Sequence, residues 1–151
     1  MKPTIQKLLI LLCCIGIGDS LNAQNAAAYV EELNAQLLLD PSTAQIDPND
    51  RSKYTSSAAY DVILKVKLSD TTGVKAIMIK MGKEGDEAQY FSIVVNLDGS
   101  GMANGVYIDP MQDNKTLVIH AGKYSGLGNY VLFSELSYSN NQYGDRKVWS
   151  H

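Results

Sequence analysis

From Tyr60 onward, apolar and polar residues alternate. Val62, Leu64, Val66 and Leu68 share one side while Asp61, Lys65, Lys67 and Ser69 take the other, with Ile63 the exception. A period of two is the pattern of a half-buried β-strand. It recurs downstream, with Ile77, Ile79 and Met81 set against Ala76, Met78 and Lys80, and Phe91, Ile93, Val95 and Leu97 against Tyr90, Ser92, Val94 and Asn96. Lys75 has the inner parity of its run but lies at the start, where its charged head reaches water. Leu117 and Ile119 then oppose Val118 and His120, and Tyr130, Leu132 and Leu136 share a face of the run from 129 to 138. Val106 to Ile108 and Arg146 to Trp149 read as shorter strands. Ser69 to Gly73, Gly82 to Glu87, Asp98 to Gly101, Asp109-Pro110, the glycine-rich stretch Gly122 to Asn129 and Ser139-Asn140-Asn141 supply the turns between them. Strands at this spacing predict one antiparallel β-sandwich of about six to eight strands over residues 58–151.

Upstream the period differs. Ala26, Tyr29, Val30, Leu33 and Leu37 make a stripe at helical spacing, with Glu31 and Glu32 off it, which predicts a short amphipathic N-terminal helix. Asp40-Pro41 ends it, because a proline disfavours the helical conformation of the residue before it. A polar connector carrying Pro48 and Asn49-Asp50 completes residues 24–57, and the alternative for this stretch is a largely flexible tail. Residues 1–23 carry Lys2 and Lys7, then an apolar run from Leu8 to Ile17, then Leu21-Asn22-Ala23. That is the layout of a cleaved export signal, and the run is too short to span a bilayer. Cys13 and Cys14 raise a lipoprotein anchor, but neither cysteine follows the small residue that a lipid-attachment motif uses.

The chain has 151 residues, 45% of them hydrophobic and 19% charged, with a formal net charge of −3. This composition excludes collagen-like, low-complexity and strongly charged disordered classes. Removal of residues 1–23 takes away both cysteines, and with them any disulfide, thiolate or cysteine-bound zinc; a single domain of this size needs no such staple. The acidic balance and scattered lysines argue against nucleic acid as a partner, and no membrane span remains after signal cleavage.

Ser69-Asp70-Thr71-Thr72-Gly73-Val74, followed by Ile77 and Ile79 and later by Tyr130-Val131-Leu132, resembles the immunoglobulin-like or fibronectin type III-like modules of secreted bacterial proteins, over roughly residues 58 to 149. In those modules an aspartate and a glycine mark the turn between the second and third strands, and a tyrosine opens the penultimate strand as a tyrosine corner. Asp70, Gly73 and Tyr130 match. The disulfide and core tryptophan of immunoglobulin domains are missing: Leu64 or Val66 and Leu132 stand at the cysteine places, and Trp149 lies in the last strand. The resemblance implies a binding or spacer module, since such a fold hosts many functions.

Little catalytic chemistry is legible. His120 and His151 are the only imidazoles, and His120, on an outward parity, reads as a solvent-facing or cross-strand-paired side chain, so no catalytic residue is assigned. Asp98-Gly99-Ser100-Gly101 evokes a calcium loop, but Met102 and Ala103 stand where further oxygen ligands are needed; no metal or cofactor is expected. The compositional departure is aromatic, with nine tyrosines against two phenylalanines and one tryptophan. Tyrosine is an amphipathic contact residue. A patch of Tyr107, Tyr124, Tyr143 and Trp149 beside Asn141 and Gln142 would suit a ligand, with rings to stack on a sugar and amides to bond its hydroxyls. The expectation is therefore an exported, non-catalytic interaction module, periplasmic or extracellular. Its expected partner is another envelope or extracellular protein, or alternatively a polysaccharide.

Overall fold

A computed structural model describes residues 27–103, 105–109 and 113–150, without the side chain of Ala88. The expected export signal lies outside the described residues. The described residues form eight strands: β1 (Val30–Leu39), β2 (Ala59–Leu68), β3 (Val74–Lys83), β4 (Asp86–Asn96), β5 (Tyr107–Ile108), β6 (Thr116–Ser125), β7 (Val131–Tyr138) and β8 (Tyr143–Ser150). They form two four-stranded sheets, in the orders β1-β2-β6-β5 and β4-β3-β7-β8, and every pairing is antiparallel. Among the described residues no helix is long and apolar enough to cross a membrane.

The two sheets share one core, built from the inner positions that the alternation picks out. Val62, Leu64, Val66 and Leu68 from β2 and Leu117 and Ile119 from β6 meet Ile77, Ile79 and Met81 from β3, Phe91, Ile93 and Val95 from β4, and Leu132 and Leu136 from β7. Leu64, Leu68, Ile77, Ile79, Leu132 and Leu136 are wholly inaccessible. Each such side chain contributes about 1.5–3 kcal/mol by leaving water.

Three expectations are corrected. The predicted N-terminal helix is instead a strand: β1 lies antiparallel to β2 at the edge of the first sheet. A register shift between Val30 and Glu32 explains the misleading pattern. The extra residue of the bulge puts Val30 and Leu33 on the same buried side, and a spacing of three followed by four is also the signature of a helix face. Ala76, expected to face outward, is buried, because a register shift between Val74 and Ala76 turns it toward the core and leaves Lys75 exposed, as its charged head requires. Finally, β6 continues through Gly122 to Ser125 where a loop was expected. Gly122 sits at a bulge with φ +105°, a left-handed conformation that glycine adopts without steric cost.

Candidate functional site

At one end of the sandwich two tight turns stand side by side. In the turn between β2 and β3, the Asp70 carboxylate accepts the Thr71 and Thr72 amides at 2.7 and 3.2 Å and the Thr72 hydroxyl at 3.2 Å. These bonds, the Thr72 amide foremost, hold its carboxyl below the usual range. Gly73 closes the turn at φ +74° and accepts a hydrogen bond from the Ser139 amide at 2.9 Å, tying this turn to the one between β7 and β8. That second turn is equally self-bonded. Gln142 donates its amide to Asn140 Oδ1 at 3.0 Å, Asn140 returns Nδ2 to Gln142 Oε1 at 3.0 Å, and Asn141 takes φ +62°, a conformation in which asparagine is enriched.

The start of the described chain closes the third side. Tyr138 donates its hydroxyl to the Ala28 carbonyl at 2.7 Å, and burial, with the nearby Asp145 charge, pushes the pKa of that phenol up. Ser69 and Tyr29 exchange two bonds of 2.9 Å. Between the two turns and this segment lies an open cleft of about 420 Å³, lined by Asp70, Thr72, Tyr138, Ser139, Asn140 and Gln142 together with Gly73 and Ala27–Ala28. Tyr143 follows immediately and is 75% exposed. Of the six residues expected to bind, Asn141, Gln142 and Tyr143 therefore belong to this end.

The other three do not join them. Trp149 lies six residues along β8, half-buried, with Nε1 donating to the buried Ser134 hydroxyl at 2.8 Å. Tyr124 packs against the core. Its hydroxyl donates to the Ala121 carbonyl at 2.7 Å, its ring stacks on Phe91 with centroids 4.8 Å apart, and burial pushes its pKa up. Tyr107 sits on β5 in the other sheet, 52% exposed and stacked on His120 with centroids 4.1 Å apart and planes 8° from parallel. His120 is the cross-strand partner of Tyr107, and its Nε2 lies 3.0 Å from Asp109 Oδ2.

Sequence reasoning passed over Asp70, Thr72, Tyr138 and Ser139 as members of the cleft. The Asx-turn pattern at Asp70 was legible, but the juxtaposition with Tyr138 depends on two turns from different hairpins reaching the same end. The Asp98 loop is a tight turn in which Ser100 donates its amide to Asp98 at 2.9 Å and Asn96 Nδ2 bonds the Ser100 carbonyl at 2.8 Å. No group of three or more His, Cys, Asp or Glu side chains among the described residues is placed to hold a metal ion. No protein-family model, curated protein or solved structure matches the chain.

Proposed function

We propose that this is an exported, non-catalytic, immunoglobulin-like or fibronectin type III-like module that binds another envelope or extracellular protein through its loop end. The observation that carries the reading is the 420 Å³ cleft between two rigid turns, rimmed by amides and hydroxyls and flanked by an exposed tyrosine. Turns held by their own hydrogen bonds lose little freedom on binding, and a tyrosine offers large contact area with few rotatable bonds. The strand orders support the fold assignment, since β1-β2-β6-β5 facing β4-β3-β7-β8 follows the A-B-E-D and C′-C-F-G arrangement of such sandwiches. Tyr130, half-buried two residues ahead of the core residue Leu132, stands where a tyrosine corner would. Asp70 is committed to its turn, which speaks for recognition over proton transfer. The layout of residues 1–23, with its two lysines, apolar run and Leu21-Asn22-Ala23, is the one expected of an export signal and supports the location.

Site-specific photocrosslinking tests this reading. A crosslinker at Tyr143 is expected to capture a discrete protein from envelope or culture-medium fractions, while one at Lys65, on the outer face of the first sheet, captures none; equal labelling from both positions would count against the loop end. A second reading, a carbohydrate-binding module, is favoured by one observation: Tyr107 stays half-exposed while its ring orientation is fixed by His120.

A further inference from the structure

A hollow lies in the outer face of the first sheet, beside the bulge that carries β6 through Gly122. Across this face the order is β1, β2, β6, β5. Gly122 is the partner of Val62, and the register then slips so that His120 pairs with Ile63. Gly122 lies at the floor of the hollow, and the atoms nearest to where its Cβ would stand belong to Tyr124. The result is a shallow depression of about 330 Å³, walled by Leu38, Asp61, Ile63, Tyr107 and His120. Its rim is finished by Gly105, which has no atom within 4 Å of its Cβ position.

The chemistry of the walls is mixed in a particular way. Leu38 is 43% exposed and Ile63 partly so, which gives an apolar side. Tyr107 and His120 give a pair of rings that hold each other in place, and Asp109 holds His120 from beyond. Asp61 presents an exposed carboxylate for which the described side chains provide no hydrogen bond. Its cross-strand neighbour Lys123 is engaged by Asp40 at 2.6 Å. A rigid ring, an apolar wall and a carboxylate that accepts two hydroxyl donors at once match a pyranose, whose C–H face is apolar and whose rim is hydroxyl. The volume lies at the low end of the roughly 300–1,000 Å³ of small-molecule sites, which fits one or two sugar rings. Two carboxylates, Asp61 and Asp109, bias the site against anions.

We propose that this depression binds a neutral pyranose unit of a glycan, stacked beside Tyr107 and hydrogen-bonded to Asp61, and that it disfavours uronic acids. The inference rests on the carbohydrate reading and is independent of the loop end, which lies elsewhere on the molecule. The test is a titration of the ¹⁵N-labelled full chain with the methyl glycosides of glucose, galactose, mannose and N-acetylglucosamine, and with glucuronic acid. It is run beside native gels cast with soluble glucans and mannans. At least one neutral glycoside is expected to shift the amides of Ile63, Gly105, Tyr107, His120 and Gly122 and to bind several-fold more tightly than glucuronic acid. Tyr107→Ala and Asp61→Ala should each weaken that binding about tenfold or more, with Val148→Ala, an exposed position on β8, leaving it unchanged; the exposed Asp61 substitution covers the case in which Tyr107→Ala disturbs the short β5. Gel retardation that persists in both variants, or shifts centred elsewhere, overturns this site and leaves the carbohydrate reading standing. No shift and no retardation overturns both, and glucuronic acid binding as tightly as the neutral sugars overturns the assigned selectivity.

Discussion

At the scale of single residues, much of this molecule turns on side chains that are absent. Gly82 is buried in β3 beside the turn into β4, and a Cβ there would lie 2.7 and 2.8 Å from the Glu87 backbone carbonyl, with the Asp86 carbonyl oxygen closer still. Those neighbours are backbone and cannot rotate aside. Gly82→Ala should therefore destabilise the fold by about 1–3 kcal/mol, the range of an overpacked core, as a lowered urea midpoint at unchanged slope. Gly85→Ala, in the turn between β3 and β4, meets no atom within 4 Å and carries only the strain of φ +86°; a larger loss there than at Gly82 would refute the close-approach explanation. The sequence marked Gly82 as a turn residue, and the reason it must be glycine belongs to the neighbouring strand.

At the scale of elements, the seam between β1 and β8 shows how the two sheets are joined along one side. Val30, fully inaccessible, donates its amide to Asp145 Oδ2 at 2.6 Å, and its carbonyl accepts Lys147 Nζ at 2.6 Å. Two side chains of β8 thus complete the backbone bonds of Val30 as a neighbouring strand would. They pair with each other at 3.0 Å, and Lys147 also lies 4.9 Å from the centre of the Tyr29 ring. The geometry depends on Asp145 at φ +52° and a register shift between Ser134 and Leu136, which turns both side chains toward β1. Asp145→Ala leaves a buried amide without its acceptor and should cost about 1–3 kcal/mol. Hydrogen exchange would localise the effect, with the Val30 amide losing protection while the β3 and β7 amides keep theirs. Uniform loss across both sheets would mean that the seam stabilises the whole fold cooperatively. Strand existence was legible here for β8 and not for β1, because a bulged edge strand and an amphipathic helix place apolar residues at the same first few positions.

At the scale of the whole molecule, acid sensitivity follows from how the loops are built. Asp40, Asp50, Asp70, Asp98 and Asp113 are all held below the ordinary carboxylate range by hydrogen bonds within their own turns or to lysines. For Asp40 the Lys123 ammonium, with Ser42, lowers the value to about 2. A carboxyl whose folded value lies below its unfolded value, near 3.9, contributes stability that is complete above that unfolded value and is lost as the pH falls through the folded one. The thermal midpoint is therefore expected to stay level from pH 7 to about 5 and to fall from about pH 4 towards 2, with Asp40→Asn flattening the lower part of that fall. A midpoint unchanged down to pH 2 would show that these bonds persist in the unfolded chain or are absent from the folded one.

What the sequence determined by itself was local: the period-two runs of β2, β3, β4, β6 and β7 and the Asp- and Gly-rich turns between them. Each is a matter of neighbouring residues, where alternation decides which side chains can leave water together. Only tertiary structure decided that β1 is an edge strand, that Tyr124 packs against the core and Trp149 is tied to Ser134, and that Asn141, Gln142 and Tyr143 share an end with Asp70 and Tyr138. These outcomes depend on bulges that reverse side-chain parity by one residue and on which hairpins reach the same end of the sandwich. A pattern along the chain carries parity only until the first extra residue, and here register shifts occur in β1, β3, β6 and β8.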